Sequence, residues 1–220
     1  MSYITTTTTL VQFVSISTAF IASGGILSLS LFNIPLLRCQ PASRSLPQIR
    51  WIFSRGSHTF PTAAIISTTG FFYLALTSLS PTQTLPQILN LANNSRTVNG
   101  NLLAGVLSVS IALFTQLAMI PTNFVLIEKN EELGGARSEK SAKEREDKVG
   151  GKSAIESVEG KEDVSEFDDL SGPQERTEED GTGEDERVVG ELLKRFKWLN
   201  LCRAVLIGYG GVVGLVTALA

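Results

Sequence analysis

The sequence predicts an all-α protein, a four-transmembrane-helix bundle with a long acidic disordered loop between helices 3 and 4. Three observations carry this expectation. Four apolar stretches, roughly 10–33, 57–79, 102–122 and 199–220, reach the ~20 residues that a helix rising about 1.5 Å per residue needs to cross a bilayer. None of them contains Lys, Asp or Glu, and only the last contains an arginine, Arg203. All 22 acidic residues fall between Glu128 and Glu191, so with 13 of the 19 basic residues the stretch 128–197 carries a net −9, while the rest of the chain has six arginines and no carboxylate. Buried helices of a soluble bundle would need a polar face at helical spacing, and these spans have none.

The amino terminus, with five threonines and no basic residue before Arg38, lacks the positive region of a secretory leader, so the first span is expected to stay as a helix ending near Asn33 and Pro35. The loop 35–56 holds Arg38, Arg44, Arg50 and Arg55, whereas the loop 80–101 holds only Arg96. That excess places loops 1 and 3 in the cytosol and both termini in a lumen, as for a multi-pass endomembrane protein. Asn93-Asn94-Ser95 is a glycosylation sequon on the lumenal side, close to the third span.

Residues 1–130 thus read as helices 1–3 with short loops, 131–187 as a disordered acidic cytosolic loop, and 188–220 as an interfacial segment followed by helix 4. The loop is rich in Glu, Asp, Lys, Gly and Ser, a composition too poor in apolar groups to offset chain entropy. It is either a solvated tether or a docking segment.

Polar residues at the cytosolic ends of the spans are the candidate chemistry. His58 is the single histidine, and an imidazole is the side chain that ordinarily exchanges a proton near neutral pH. Asn200 and Arg203 lie three apart on one helix face, and Gln116, Met119 and Asn123 form a second stripe beside Pro121, which frees the carbonyl of Leu117 and bends the helix. Each has a plainer reading: His58 as an interfacial residue, Arg203 snorkelling to headgroups, the asparagines bonding helix to helix, and Gly210 with Gly214 as a packing motif. One histidine and two separate cysteines, Cys39 and Cys202, make no ordinary metal site. No nucleotide-binding glycine loop and no basic surface interleaved with aromatics is present, so neither a nucleotide cofactor nor a nucleic-acid partner is expected.

Three motifs carry a family resemblance: Arg50-Trp51 through Gly56 with His58 and Pro61, Ala118-Met119-Ile120-Pro121-Thr122-Asn123, and Trp198-Leu199-Asn200-Leu201-Cys202-Arg203-Ala204. Together they resemble the anthrone oxygenase family, small four-helix membrane proteins of fungal aromatic polyketide pathways. The resemblance covers the four spans and leaves out the acidic insert. It implies oxidation of an anthrone to an anthraquinone with O2 as co-substrate and no other cofactor. On that basis His58 is expected as the base, Arg203 as the cation that stabilises the substrate anion, and Asn123 with Asn200 as hydrogen-bond donors orienting its carbonyl and phenol oxygens. Trp51, Tyr73, Gln116, Met119 and Tyr209 are weaker candidates for lining the site. The expected partners are a small hydrophobic aromatic substrate, the lipid bilayer and soluble pathway enzymes. The alternative is a non-enzymatic membrane scaffold or a carrier of hydrophobic intermediates.

Overall fold

A computed structural model describes residues 2–80, 85–145, 153–159 and 168–220. Every regular element among them is helical. In chain order they are α1 (Ser2–Ser28), a π turn (Leu29–Asn33), α2 (Ile34–Arg38), α3 (Ala42–Thr77), a 3-10 turn (Leu85–Leu89), α4 (Arg96–Phe114), a second π turn (Thr115–Met119), α5 (Ile120–Glu132), α6 (Glu139–Arg145), α7 (Ala154–Glu159) and α8 (Gly183–Leu219). Four runs are long and apolar enough to cross a membrane: Thr6–Arg38, Ala42–Thr77, Arg96–Glu132 and Gly183–Leu219.

The helices outrun the expected spans. The first continues past Asn33 and Pro35 to Arg38. Most of the expected first loop belongs to α3, because Leu46, Ile49 and Phe53 repeat at helical spacing and the first two are fully buried. α8 begins at Gly183, five residues before the expected restart at Val188. Hydropathy marks what lipid can cover, and a helix ends only where its backbone bonding ends.

Two prolines are absorbed in the same way. Pro35 and Pro121 each stand two residues after a π turn, and the carbonyl that each deprives of a partner, Leu31 or Leu117, lies inside that wider turn. The widened turn moves the carbonyl clear of the proline ring, so the chain stays helical through both.

By internal contacts the chain forms two units. The first comprises 1–27, 60–115 and 201–220, with Arg96 and Arg203 as its charged side chains and no carboxylate in its sequence. Ile16, Ala19, Ile26, Phe71, Ile111 and Ile207 form its core, while Phe13, Ile21, Ile65, Leu113 and Val205 are exposed apolar groups of the kind a bilayer would cover. Several of its hydroxyls turn back onto their own helices: Ser15 donates to Val11 O at 2.7 Å, Ser108 to Ala104 O at 2.9 Å and Thr217 to Val213 O at 2.8 Å. Ser23 instead donates across from α1 to Ala204 O of α8 at 2.8 Å. The glycine pair of α8 does pack, since a Cβ on Gly210 would lie 3.0 Å from the Ala104 carbonyl and one on Gly214 would strike the Phe71 ring.

The second unit comprises 28–59 and 116–200 and holds every carboxylate of the chain. The acidic segment was expected to be disordered throughout, and its described residues are folded. Arg50, 2% exposed, donates to the Ser157 carbonyl at 2.9 Å and to its hydroxyl at 3.2 Å. Ser157 in turn donates to Glu131, which pairs with Arg145 at 2.7 Å. Trp51 Nε1 donates to Ser171 O at 3.0 Å, and the Arg55 guanidinium donates to the Asp169 carbonyl. Glu186 accepts the Ala42 amide at 2.8 Å, capping the positive end of α3. Pro47 cannot bond the Ser43 carbonyl, and the Thr177 amide does so at 2.7 Å. Composition weighs apolar burial alone, and what fastens this segment is paired polar groups. Residues 146–152 and 160–167 lie outside the described residues.

Burial pushes the Asp169 carboxyl up, but hydrogen bonds from the hydroxyls of Ser138 and Ser171 and the Ser171 amide, with the charge of Arg55, outweigh it and hold it below 3.8. A depressed carboxyl contributes stability that is complete above its unfolded value and lost as pH falls through its folded one.

Two outcomes follow from these contacts. Gly214→Val should cost about 1–3 kcal/mol by overpacking against Phe71, read as a lower thermal midpoint in detergent. Hydrogen exchange at the Ser171 amide, corrected for intrinsic rate, should accelerate as pH falls through the depressed range of this carboxyl, and Asp169→Asn should remove that dependence.

Candidate functional site

Within the second unit, α3, α5 and α8 supply the side chains singled out from the sequence. His58 lies near the end of that unit's share of α3 and is exposed. Below it, Phe53 meets Phe196 of α8 edge to face at 5.1 Å, which fixes how these two helices pack there. Asn200 is fully buried one turn beyond Phe196 and donates through Nδ2 to the Phe196 carbonyl at 3.2 Å.

Asn123 stands at the start of α5, directly after the π turn and Pro121. It is half-buried, yet its Oδ1 is sealed from solvent and accepts no hydrogen bond. The neighbouring Thr122, 2% exposed, has a buried hydroxyl in the same condition. A buried polar group left unsatisfied costs about 1–3 kcal/mol, and a ligand that supplies the missing partner recovers that cost. π turns recur at functional sites because they break the regular bonding ladder locally. Thr122 was within the quoted motif and was passed over, since a lone threonine in an apolar helix ordinarily bonds its own backbone.

Arg203 belongs to the first unit, where it is 7% exposed between Cys202 and the buried Ala204. Its guanidinium lies 5.9 Å from the centroid of the Phe60 ring, within cation–π range. The expected snorkelling to headgroups does not describe a side chain buried to this degree. A positive charge held among apolar groups is costly, and it favours any anion that reaches it.

The lining candidates divide. Met119 is buried at 1% exposure and Trp51 is half-buried with its indole N–H engaged by Ser171. Gln116 is exposed within the π turn. Tyr73 and Tyr209 are exposed at 39% and 61% on the apolar exterior of the first unit, the position of lipid-facing aromatics more than of walls. Asn93 is exposed in the turn before α4, whose amino end is capped by the sequon's own Ser95, accepting from the Val98 amide at 3.2 Å. Cys39 and Cys202 are both free and exposed. A cleft of about 440 Å³ lined by Ser43, Arg44, Arg176, Asp180 and Glu186 contains none of the residues singled out above.

Because Asn123 carries an unsatisfied acceptor, Asn123→Leu is expected to leave the thermal midpoint unchanged or raise it. A residue kept for helix-to-helix bonding would instead lose about 1 kcal/mol or more.

No curated protein and no solved structure matches the chain. The family model described as anthrone oxygenase matches residues 50–213, which take in His58, Asn123, Asn200 and Arg203. A match over residues 50–213, well over half of the chain and taking in most of three of the four helices long and apolar enough to cross a membrane, means that this protein belongs to the anthrone oxygenase family.

Proposed function

We propose that this chain is a membrane-bound, cofactor-independent monooxygenase that converts an anthrone to an anthraquinone with O2, in the making of an aromatic polyketide. The observation that carries the reading is the family match over residues 50–213. In this account His58 removes a proton from the methylene between the two rings, which is acidic for carbon because the resulting anion is conjugated to a ketone and becomes phenolate-like. The electron-rich anion passes one electron to O2. The carbon radical and superoxide combine to a peroxide, which takes the proton back from His58. Loss of water then leaves the new carbonyl, so one O2 oxidises one CH2 to C=O and one H2O departs.

Arg203 stabilises the delocalised anion, and its burial is what gives that charge strength. Asn123, with a buried and unsatisfied Oδ1, accepts from a substrate phenol. Asn200 orients a substrate oxygen from the adjoining turn of α8. The apolar helices dissolve both O2 and a flat aromatic. Loops 1 and 3 face the cytosol, in keeping with the arginine excess around 38–55, and both termini face a lumen. Asn93 is the glycosylation site on that lumenal side. The described part of the acidic segment is spent on contacts with its own chain, which leaves it less to offer as a scaffold for other enzymes.

The deciding experiment is O2 uptake with an anthrone by the purified full-length protein in lipid, together with His58→Gln and Asn123→Leu. His58→Gln should lower turnover by about 10²-fold or more. Asn123→Leu should lower it about tenfold with no loss of stability. Turnover at the wild-type rate in His58→Gln would remove the imidazole from the mechanism.

A further inference from the structure

Trp51, Arg55 and His58 stand at i, i+4 and i+7 on α3, so they form one stripe of that helix. Two of the three are fastened by the acidic segment. The Trp51 indole donates to the carbonyl of Ser171 at 3.0 Å. The Arg55 guanidinium sits over the Trp51 ring, 5.4 Å from its centroid, and donates to the carbonyl of Asp169. Asp169 is itself 2% exposed, and its carboxylate accepts from the Ser138 hydroxyl and from both the amide and the hydroxyl of Ser171. A buried carboxylate with this many donors sets the path of 168–171, and that path is what holds the indole and the guanidinium.

We propose that Asp169 is a positioning residue for the His58 face of α3: acting through Ser171 and Trp51, and through its own carbonyl and Arg55, it fixes an aromatic and cationic shelf one turn from the imidazole. A planar phenolic substrate has the shape and charge for such a shelf, since its face stacks on an indole and its oxygens attract a guanidinium. The stretch 168–171 of the acidic segment is then part of the binding site, and loosening it costs substrate affinity before it costs chemistry. This inference rests on the reading of His58 as the base.

The chain has one histidine, so in full-length protein labelled at histidine and held in nanodiscs the imidazole gives a single set of NMR resonances. Asp169→Asn removes the charged acceptor while keeping the shape and the backbone carbonyl. Ser157→Ala serves as the comparison, because it loosens the same segment at its other buried anchor, where Arg50 and Glu131 meet Ser157. Asp169→Asn is expected to shift the His58 resonances and to raise KM for the anthrone about tenfold with a smaller change in kcat. Ser157→Ala should leave both near wild type. Unmoved His58 resonances in Asp169→Asn, or equal effects from the two substitutions, would overturn the proposal. Should His58→Gln keep full turnover, the base assignment fails, and the resonance shifts still decide whether Asp169 orders this face.

Discussion

Within hydrocarbon no water is available to bond a peptide group, and that constraint governs most of this structure. It explains why the first unit is helical wherever it is regular and why Ser15, Ser108 and Thr217 bond to their own helices. It also explains the handling of proline. Pro35 and Pro121 would each strand a carbonyl, and each is preceded by a π turn that gives the stranded group room. At Pro121 the same device leads into the start of α5, where Thr122 and Asn123 hold buried oxygens that no group among the described residues satisfies. A local remedy for backbone bonding thus creates the polar feature most suited to a ligand.

Charge is distributed under the same rule. The first unit has no carboxylate in its sequence, and there the buried Arg203 guanidinium lies over the Phe60 ring, whose quadrupole attracts it. The second unit buries charges with partners, as where Glu131 meets Arg145 and Ser157. Burying a pair rarely adds much stability, but removing one member is expensive, so such contacts specify a conformation more than they strengthen it.

Much of the fold was legible because membrane spans are written in composition. The stretch 102–122 needs only length and the absence of charge to be recognised, and Gly210 with Gly214 reads as packing because small residues four apart do little else in a span. The amino-terminal half of α3 was harder. Arg44, Arg50 and Arg55 lower its hydropathy, while the apolar spacing of Leu46, Ile49 and Phe53 that makes it helical is a weaker signal across so short a stretch. The described part of the acidic segment was misread for a deeper reason. Its order comes from pairings such as Arg50 with Ser157, 107 residues apart, and composition carries no information about partners at that distance. For the site, residue types pointed to Asn123, but that its oxygen is both buried and unsatisfied is a property of coordinates alone.

The bond from the Thr177 amide to the Ser43 carbonyl bears on how the protein is made. Pro47 disables that carbonyl from the moment α3 is synthesised, and the group that completes it lies 134 residues downstream. A ribosome that has finished α3 has not yet translated its closure, so the first turn of that helix stays incomplete until most of the chain has emerged. The amino end of α3 is therefore among the last parts of the molecule to be sealed during biogenesis, and a chain cut short before Thr177 inserts its helices with that seam still open.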